Sequence, residues 1–273
     1  MIYEKEIAEK LHEQTFAFVD VQIKDHVLYV KLNRAHKKNA LNPTIVNELA
    51  YALSHAHFNN EIWLVELQAE GDVFCAGADL KAFMGIVEEH NSTIPDPPQE
   101  ILMGELFKKL HKPCIAKVSG HVFAGGFLLL AGCTYVVAAP DIRLGLPEVK
   151  RGIFPYQVMA CLMEIMPARK VIDWCIRGYD LPVADALELG LVTHIFERNE
   201  MDTKLNELKE QLMANSPTAI RMGLQAYDHL GEKKNTEDHQ YLKGMLMQTL
   251  QTKDAQEGIQ AFREKRTPVW TGE

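Results

Sequence analysis

The sequence predicts an α/β fold that closes in a helical section. Three observations carry this reading. Short β-patterned runs alternate with helical ones from residue 16 to about residue 139. From about residue 157 onward the pattern is almost entirely helical. Glycines stand at two strand-to-helix junctions, Gly77 and the pair Gly125-Gly126, where small residues leave backbone N–H groups bare and let a ligand come close to the main chain.

The elements follow in order. Residues 16–22 and 27–32 read as a hairpin with its turn near Lys24-Asp25. Residues 33–42 form a polar, basic loop. Asn42 is a plausible N-cap and Pro43 opens an amphipathic helix to about residue 57. Residues 62–68 (IWLVELQ) read as a buried strand, followed by the first glycine segment and a short helix from about Leu80. Three prolines mark 88–99 as a loop. A helix is expected over about 100–111, then a strand over 114–118, and the second glycine segment ends that strand and starts a helix that is apolar all round at 127–131, as expected for a buried one. A strand is expected at 134–139. Helices are expected over 201–214, 217–231, 235–251 and 253–265, and Pro167, Pro182 and Pro217 mark helix starts. The chain divides into a core, 1–200, and a C-terminal helical region, 201–273, with no repeat at a fixed period.

The bulk properties narrow the function. The 273 residues, 47% of them hydrophobic, suffice for a sizeable core. A net charge of −8 argues against nucleic acid as a partner, because phosphate contacts need a basic face. The five cysteines (Cys75, Cys114, Cys133, Cys161 and Cys175) are odd in number and form no C-x-x-C pair, so they read as free thiols in a reducing compartment. The eleven histidines lack metal-ligand spacing, and no metal is expected. The charged N-terminus lacks the apolar core of a signal peptide, and the run 127–131 is far too short to cross a bilayer. A soluble, cytoplasmic protein without a membrane partner is the expectation.

Three segments can carry chemistry: Phe74-Cys75-Ala76-Gly77-Ala78-Asp79-Leu80, the stretch from Ser119 to Gly126, and Leu146-Pro147-Glu148-Val149-Lys150-Arg151-Gly152. The second is no P-loop, for it lacks Gly-Lys-Ser/Thr, and its glycine spacing fits a dinucleotide fingerprint poorly. What remains is a strand–turn–helix whose N–H groups favour an anion. Two such N–H groups brought together hold a negatively charged oxygen. Glu148 sits among Leu144, Leu146, Val149, Ile153 and Phe154, a setting that raises a carboxyl pKa by desolvation toward the range useful for proton transfer. The bland alternatives stand beside these: glycines that only permit close packing, and a solvated loop glutamate.

With these residues the chain resembles the crotonase superfamily, the enoyl-CoA hydratase/isomerase family, over about 16–266. The three segments carry the resemblance, with Arg151-Gly152-Ile153-Phe154-Pro155, Gly190-Leu191-Val192 and Ala261-Phe262-Arg263-Glu264-Lys265-Arg266 in support. The resemblance implies a crotonase-like spiral of ββα units with a C-terminal helical trimerisation region, assembled as a homotrimer or a dimer of trimers. It implies an acyl-CoA thioester as substrate, with coenzyme A entering as part of that substrate and no separate cofactor. It places the oxyanion donors at the N–H groups of Ala78 and Gly125 and the acid/base at Glu148. It places substrate and CoA contacts at Ala40, Ala76, Leu80, Gly126, Leu128 and Tyr156, with Lys265 in the last helix, while Lys37 and Lys38 either reach the phosphates or stay solvated.

One departure shapes the expected reaction. Hydratases of the family use two glutamates around a water; Glu148 matches one, and Leu128 stands where the other belongs. A lone carboxylate suits a double-bond shift in an enoyl-CoA, serving as base and then as acid. The alternatives are 2-enoyl-CoA hydration with a substitute acid such as His121 or Tyr156, another enolate reaction such as decarboxylation, and a non-catalytic acyl-CoA-binding protein.

Overall fold

The computed structural model describes residues 1–86, 88–231, 240, 243, 244, 246–248 and 250–268. Among the described residues, ten strands form two sheets. The first holds β1 (Val19–Lys24), β2 (Val27–Leu32), β3 (Leu64–Ala69), β5 (Cys114–Val118), β7 (Tyr135–Ala138) and β10 (His194–Ile195), in that order across the sheet. The second holds β4 (Val73–Cys75), β6 (His121–Phe123), β8 (Leu144–Gly145) and β9 (Asp180–Leu181). The pairs β1–β2 and β8–β9 are antiparallel and every other pair is parallel.

The helices are α1 (Lys5–Ala8), α2 (Pro43–Phe58), α3 (Leu80–Phe83), α4 (Phe127–Ala131), α5 (Tyr156–Leu162), α6 (Ala168–Arg177), α7 (Val183–Glu188), α8 (Met201–Met213), α9 (Pro217–Gly231) and α10 (Lys253–Glu264). The order β3-β4-α3, β5-β6-α4, β7-β8-α5 is a repeated ββα unit. Each unit puts its first strand in the large sheet and its second in the small one, and advances both by one position. That stepwise advance is the spiral. The core runs through both sheets, from Leu28 and Val30 to Val118, Phe127 and Trp174, all buried.

Local chemistry explains the elements. Asp25 and His26 both adopt left-handed backbone (φ 49° and 63°), the two-residue turn that matches strand twist, so the hairpin turns one residue later than the sequence suggests. Asn42 caps α2, its Oδ1 accepting from Ile45 N–H at 2.8 Å, with Pro43 at the first position.

Several expectations need correction. The expected helix over 100–111 is a 3-10 turn, Met103–Glu105, followed by further turns. Leu106, Phe107 and Leu110 are buried as a helix would bury them. However, Phe107 fills the space at Gly132, where an added Cβ would lie 2.3 Å from its ring, and that tertiary anchor with Gly104 in the segment overrides local propensity. The strands β4, β6, β8 and β9 have two or three residues each, and β9 and β10 interrupt the expected helical tract. The helix expected over 235–251 lies mostly outside the described residues. Among the described residues, no helix is long and apolar enough to cross a membrane.

Candidate active site

The small sheet assembles the site. Strands β4, β6 and β8 are adjacent and parallel, so their C-terminal ends share one edge, the usual place for a ligand in such sheets. Beyond β4 comes Ala76-Gly77-Ala78; beyond β6 comes the 3-10 turn Ala124–Gly126; beyond β8 comes Leu146-Pro147-Glu148. The three segments singled out in the sequence are thus the three loops of one edge.

The two glycine loops touch. An added Cβ at Gly77 would lie 2.9 Å from Gly125 N and 2.6 Å from Ala124 Cβ, and one at Gly125 would lie 3.5 Å from Ala78 N. Gly77 has φ +90°, open to glycine without strain. Gly125 is the second residue of its turn, where a helical N–H has no partner within the turn. Ala78 is exposed and Gly125 half-buried. Two neighbouring N–H donors therefore stand open at the edge. Gly126 has another job: its missing Cβ makes room for Cys75, whose carbonyl oxygen would lie 2.9 Å away and whose Cβ 3.0 Å away.

Glu148 opens the 3-10 turn Glu148–Arg151 and is buried, at 7% exposure. Its Oε2 is buried without a hydrogen-bond partner. Burial pushes its pKa up to about 7, against the weaker opposing pull of the Arg151 charge. The neighbouring thiol of Cys175 is pushed to about 12 by burial and stays protonated. Leu128 lies buried in the first turn of α4. Tyr156 opens α5, its ring 5.2 Å from that of Phe154.

The loop 33–42 meets this edge from the other side. Lys37 and Lys38 project exposed side chains, while the Lys38 carbonyl accepts from Ala76 N–H at 3.0 Å. Leu41 pairs with the loop across Ala78, and Ala40 and Leu80 flank that contact, each half-buried. Asp79 caps α3 by accepting from Lys81 N–H at 3.0 Å. Lys265 lies just past the end of α10 rather than within it, exposed and left-handed (φ 57°). In the preceding turn Arg263 reaches Met84 Sδ at 2.8 Å, beside the exit of α3. His121 accepts from Arg143 N–H through Nδ1 at the start of β6, the end of the strand opposite Gly125, so it supplies no substitute acid at this edge. Thr134 accepts from Cys114 N–H at 3.2 Å, a structural contact.

Sequence reasoning missed Arg34 and Asn39. Asn39 is fully buried, its Nδ2 donating to Glu70 O at 2.9 Å and Val73 O at 2.8 Å. Arg34 is buried at 2% exposure, although it stands in a basic loop that reads as solvated. Among the described residues, no group of three or more His, Cys, Asp or Glu side chains is placed to hold a metal ion.

Comparison with known proteins places the chain in a family. A family model described as enoyl-CoA hydratase/isomerase matches residues 22–273. The chain is 30% identical to enoyl-CoA hydratase EchA19 of Mycobacterium tuberculosis, over 91% of this chain and 94% of the relative. It is 30% identical to a carnitinyl-CoA dehydratase of Salmonella typhi, over 90% of this chain and 95% of the relative. The crystal structure of a carnitinyl-CoA hydratase from Mycobacterium avium superposes with a TM-score of 0.79 at 26% identity, covering 95% of this chain and all of that one. The two sheets, their parallel ββα units and the match over nearly the whole length lead to one assignment: the chain belongs to the enoyl-CoA hydratase/isomerase family of the crotonase superfamily.

Proposed function

We propose that this protein is an acyl-CoA-processing enzyme that shifts a carbon–carbon double bond, converting a 3-enoyl-CoA into a 2-enoyl-CoA. The observation that carries the reading is the buried carboxyl of Glu148 with no second one at Leu128: Glu148 has an unpartnered oxygen and a pKa near 7, and the residue three past Gly125 is the apolar Leu128. Glu148 as carboxylate removes a proton from C2. The electron pair flows into the thioester carbonyl, and the oxyanion is held by the N–H groups of Ala78 and Gly125. The enolate then collapses to restore the carbonyl, a C2=C3 bond forms, and the electrons of the old double bond take the proton from Glu148 at C4. A group with a pKa near ambient pH serves both steps. One such N–H donor lowers the barrier by roughly 3–4 kcal/mol.

Hydration of a 2-enoyl-CoA is the second reading, favoured by the hydratase and dehydratase names of the similar proteins. Water would then be held by Glu148 without a second carboxylate, at a cost of about 10²–10⁴-fold in rate. A panel of 3-enoyl-CoA and 2-enoyl-CoA thioesters decides between them. Isomerisation should exceed hydration, and Leu128→Glu should add hydratase activity; efficient hydration by the unmodified protein overturns the proposal. In the cell we place the enzyme in the cytoplasm as a homotrimer or dimer of trimers. Met222 and Tyr227 on α9, 62% and 72% exposed, are surface that such an assembly would cover. Sedimentation of the pure protein tests this, and a monomer excludes it.

A further inference from the structure

The Ala78 N–H is aimed by chain that lies almost forty residues upstream. Leu41 N–H donates to Gly77 O at 2.8 Å, and Asp79 N–H donates to Leu41 O at 2.9 Å. Ala78 is bracketed between those two bonds, so its N–H direction follows the position of residues 38–41. That segment belongs to neither sheet.

Arg34 holds it. Its Nη1 donates to Ala40 O at 2.9 Å, its Nη2 to Asp79 Oδ2 at 2.8 Å and its Nε to Glu88 Oε2 at 2.7 Å. The guanidinium also lies over the Phe18 ring, 5.3 Å from its centre. Phe18 is itself fixed, its N–H donating to the buried Glu48 at 2.9 Å. One planar cation thus grips the template beside Leu41 and the residue directly after Ala78. A lysine cannot make these bonds in three fixed directions.

We propose that Arg34 is a positioning residue for the oxyanion donor: it fixes the Ala78 N–H through Ala40 and Asp79, with Glu88 accepting from its Nε. The inference rests on the reading of Ala78 as an oxyanion donor. Such a donor works only when aimed at the place the oxygen takes as charge develops, and a misplacement of about 1 Å costs on the order of 10²-fold.

The test compares wild type with Arg34→Lys, Arg34→Met, Asp79→Asn and Lys209→Met. The last breaks a buried pair with Glu66, where α8 meets the large sheet, and controls for lost stability. Two properties are read: the near-ultraviolet enolate band of bound acetoacetyl-CoA, and the split of kcat and KM on the enoyl-CoA that the wild type turns over. The Arg34 and Asp79 variants should lose the enolate band and about 10–100-fold in kcat, while KM moves by less than about threefold. Arg34→Lys should not rescue, and Lys209→Met should keep both properties at a matched loss of Tm. Should Arg34→Met not fold, Asp79→Asn carries the test, since it keeps the side-chain shape. Retention of band and kcat by folded Arg34 and Asp79 variants, or an equal loss in Lys209→Met, overturns the proposal. A wild type that binds acetoacetyl-CoA without an enolate band overturns the oxyanion reading itself, and the positioning role with it.

Discussion

Glu148 is held buried, with a carboxyl oxygen unpartnered, at a cost in stability once it ionises. A carboxyl with a pKa near 7 in the fold and 4.5 in the unfolded chain binds its proton more tightly when folded. Its contribution to stability is therefore fully present below pH 4.5 and is lost as the pH rises through about 7. The difference corresponds to on the order of 3 kcal/mol. Glu148→Gln carries no such charge. Relative to wild type it should gain about that much between pH 4 and pH 8, measured by denaturant unfolding across the range. The same variant should lose about 10²–10⁴-fold in turnover and keep its affinity for CoA. A flat stability difference across the pH range would mean that Glu148 is not desolvated as the fold suggests. The raised pKa could be anticipated from Leu144, Leu146 and Val149 around the residue. The orphaned Oε2 could not, because the elements packed on the Glu148 turn, α6 and α10, lie outside its own segment of the chain.

At the scale of the elements, neighbouring glycines play different parts. Gly126 is a packing residue: a methyl there would press on Cys75 O at 2.9 Å and on Cys75 Cβ at 3.0 Å. Gly126→Ala should cost about 1–3 kcal/mol of stability. Gly125 has ordinary room, with its nearest atom Ala78 N at 3.5 Å, but a methyl there would cover the gap between the two donors. Gly125→Ala should leave Tm nearly unchanged and lower kcat/KM by roughly 10²-fold. Thermal melts and steady-state kinetics on the pair separate the two roles; an unstable Gly125→Ala with normal kinetics would reverse the assignment. The glycine pair was legible in the sequence as a strand–turn–helix junction. The family resemblance pointed to Gly125 as the donor; the packing part of Gly126 was not legible, because it depends on β4, a three-residue strand too short for any periodicity to reveal.

Over the whole molecule, α10 closes back onto the Glu148 turn. Ala255, Gly258 and Ala261 make one small-residue face, with both alanines fully buried. The approach is so close that a Cβ at Gly258 would lie 2.1 Å from Arg151 O. Arg151 in turn stacks its guanidinium on the Phe262 ring, 4.4 Å from the ring centre. Gly258→Ala should push α10 off the turn, cost about 1–3 kcal/mol, and lower kcat while the sheets stay intact. Hydrogen exchange of residues 148–152 should quicken in that variant; unchanged exchange with normal kcat would show that α10 is not needed to hold Glu148.

The sequence alone settled the alternation of strands and helices, the capped start of α2, the buried turn after Gly126 and the family resemblance, since each rests on near neighbours in the chain: apolar spacing, a cap, a proline, a glycine pair. Tertiary structure alone decided three further things. It replaced the expected helix over 100–111 with turns, through the fit of Phe107 at Gly132. It buried Arg34, whose partners Asp79 and Glu88 lie 45 and 54 residues away. And it set Ala78, Gly125 and Glu148 on one edge, through the parallel pairing of strands two or three residues long. The common physical reason is distance along the chain: local pattern fixes what a segment is, while its charge partners, its packing and its exposure to water come from segments far away in sequence.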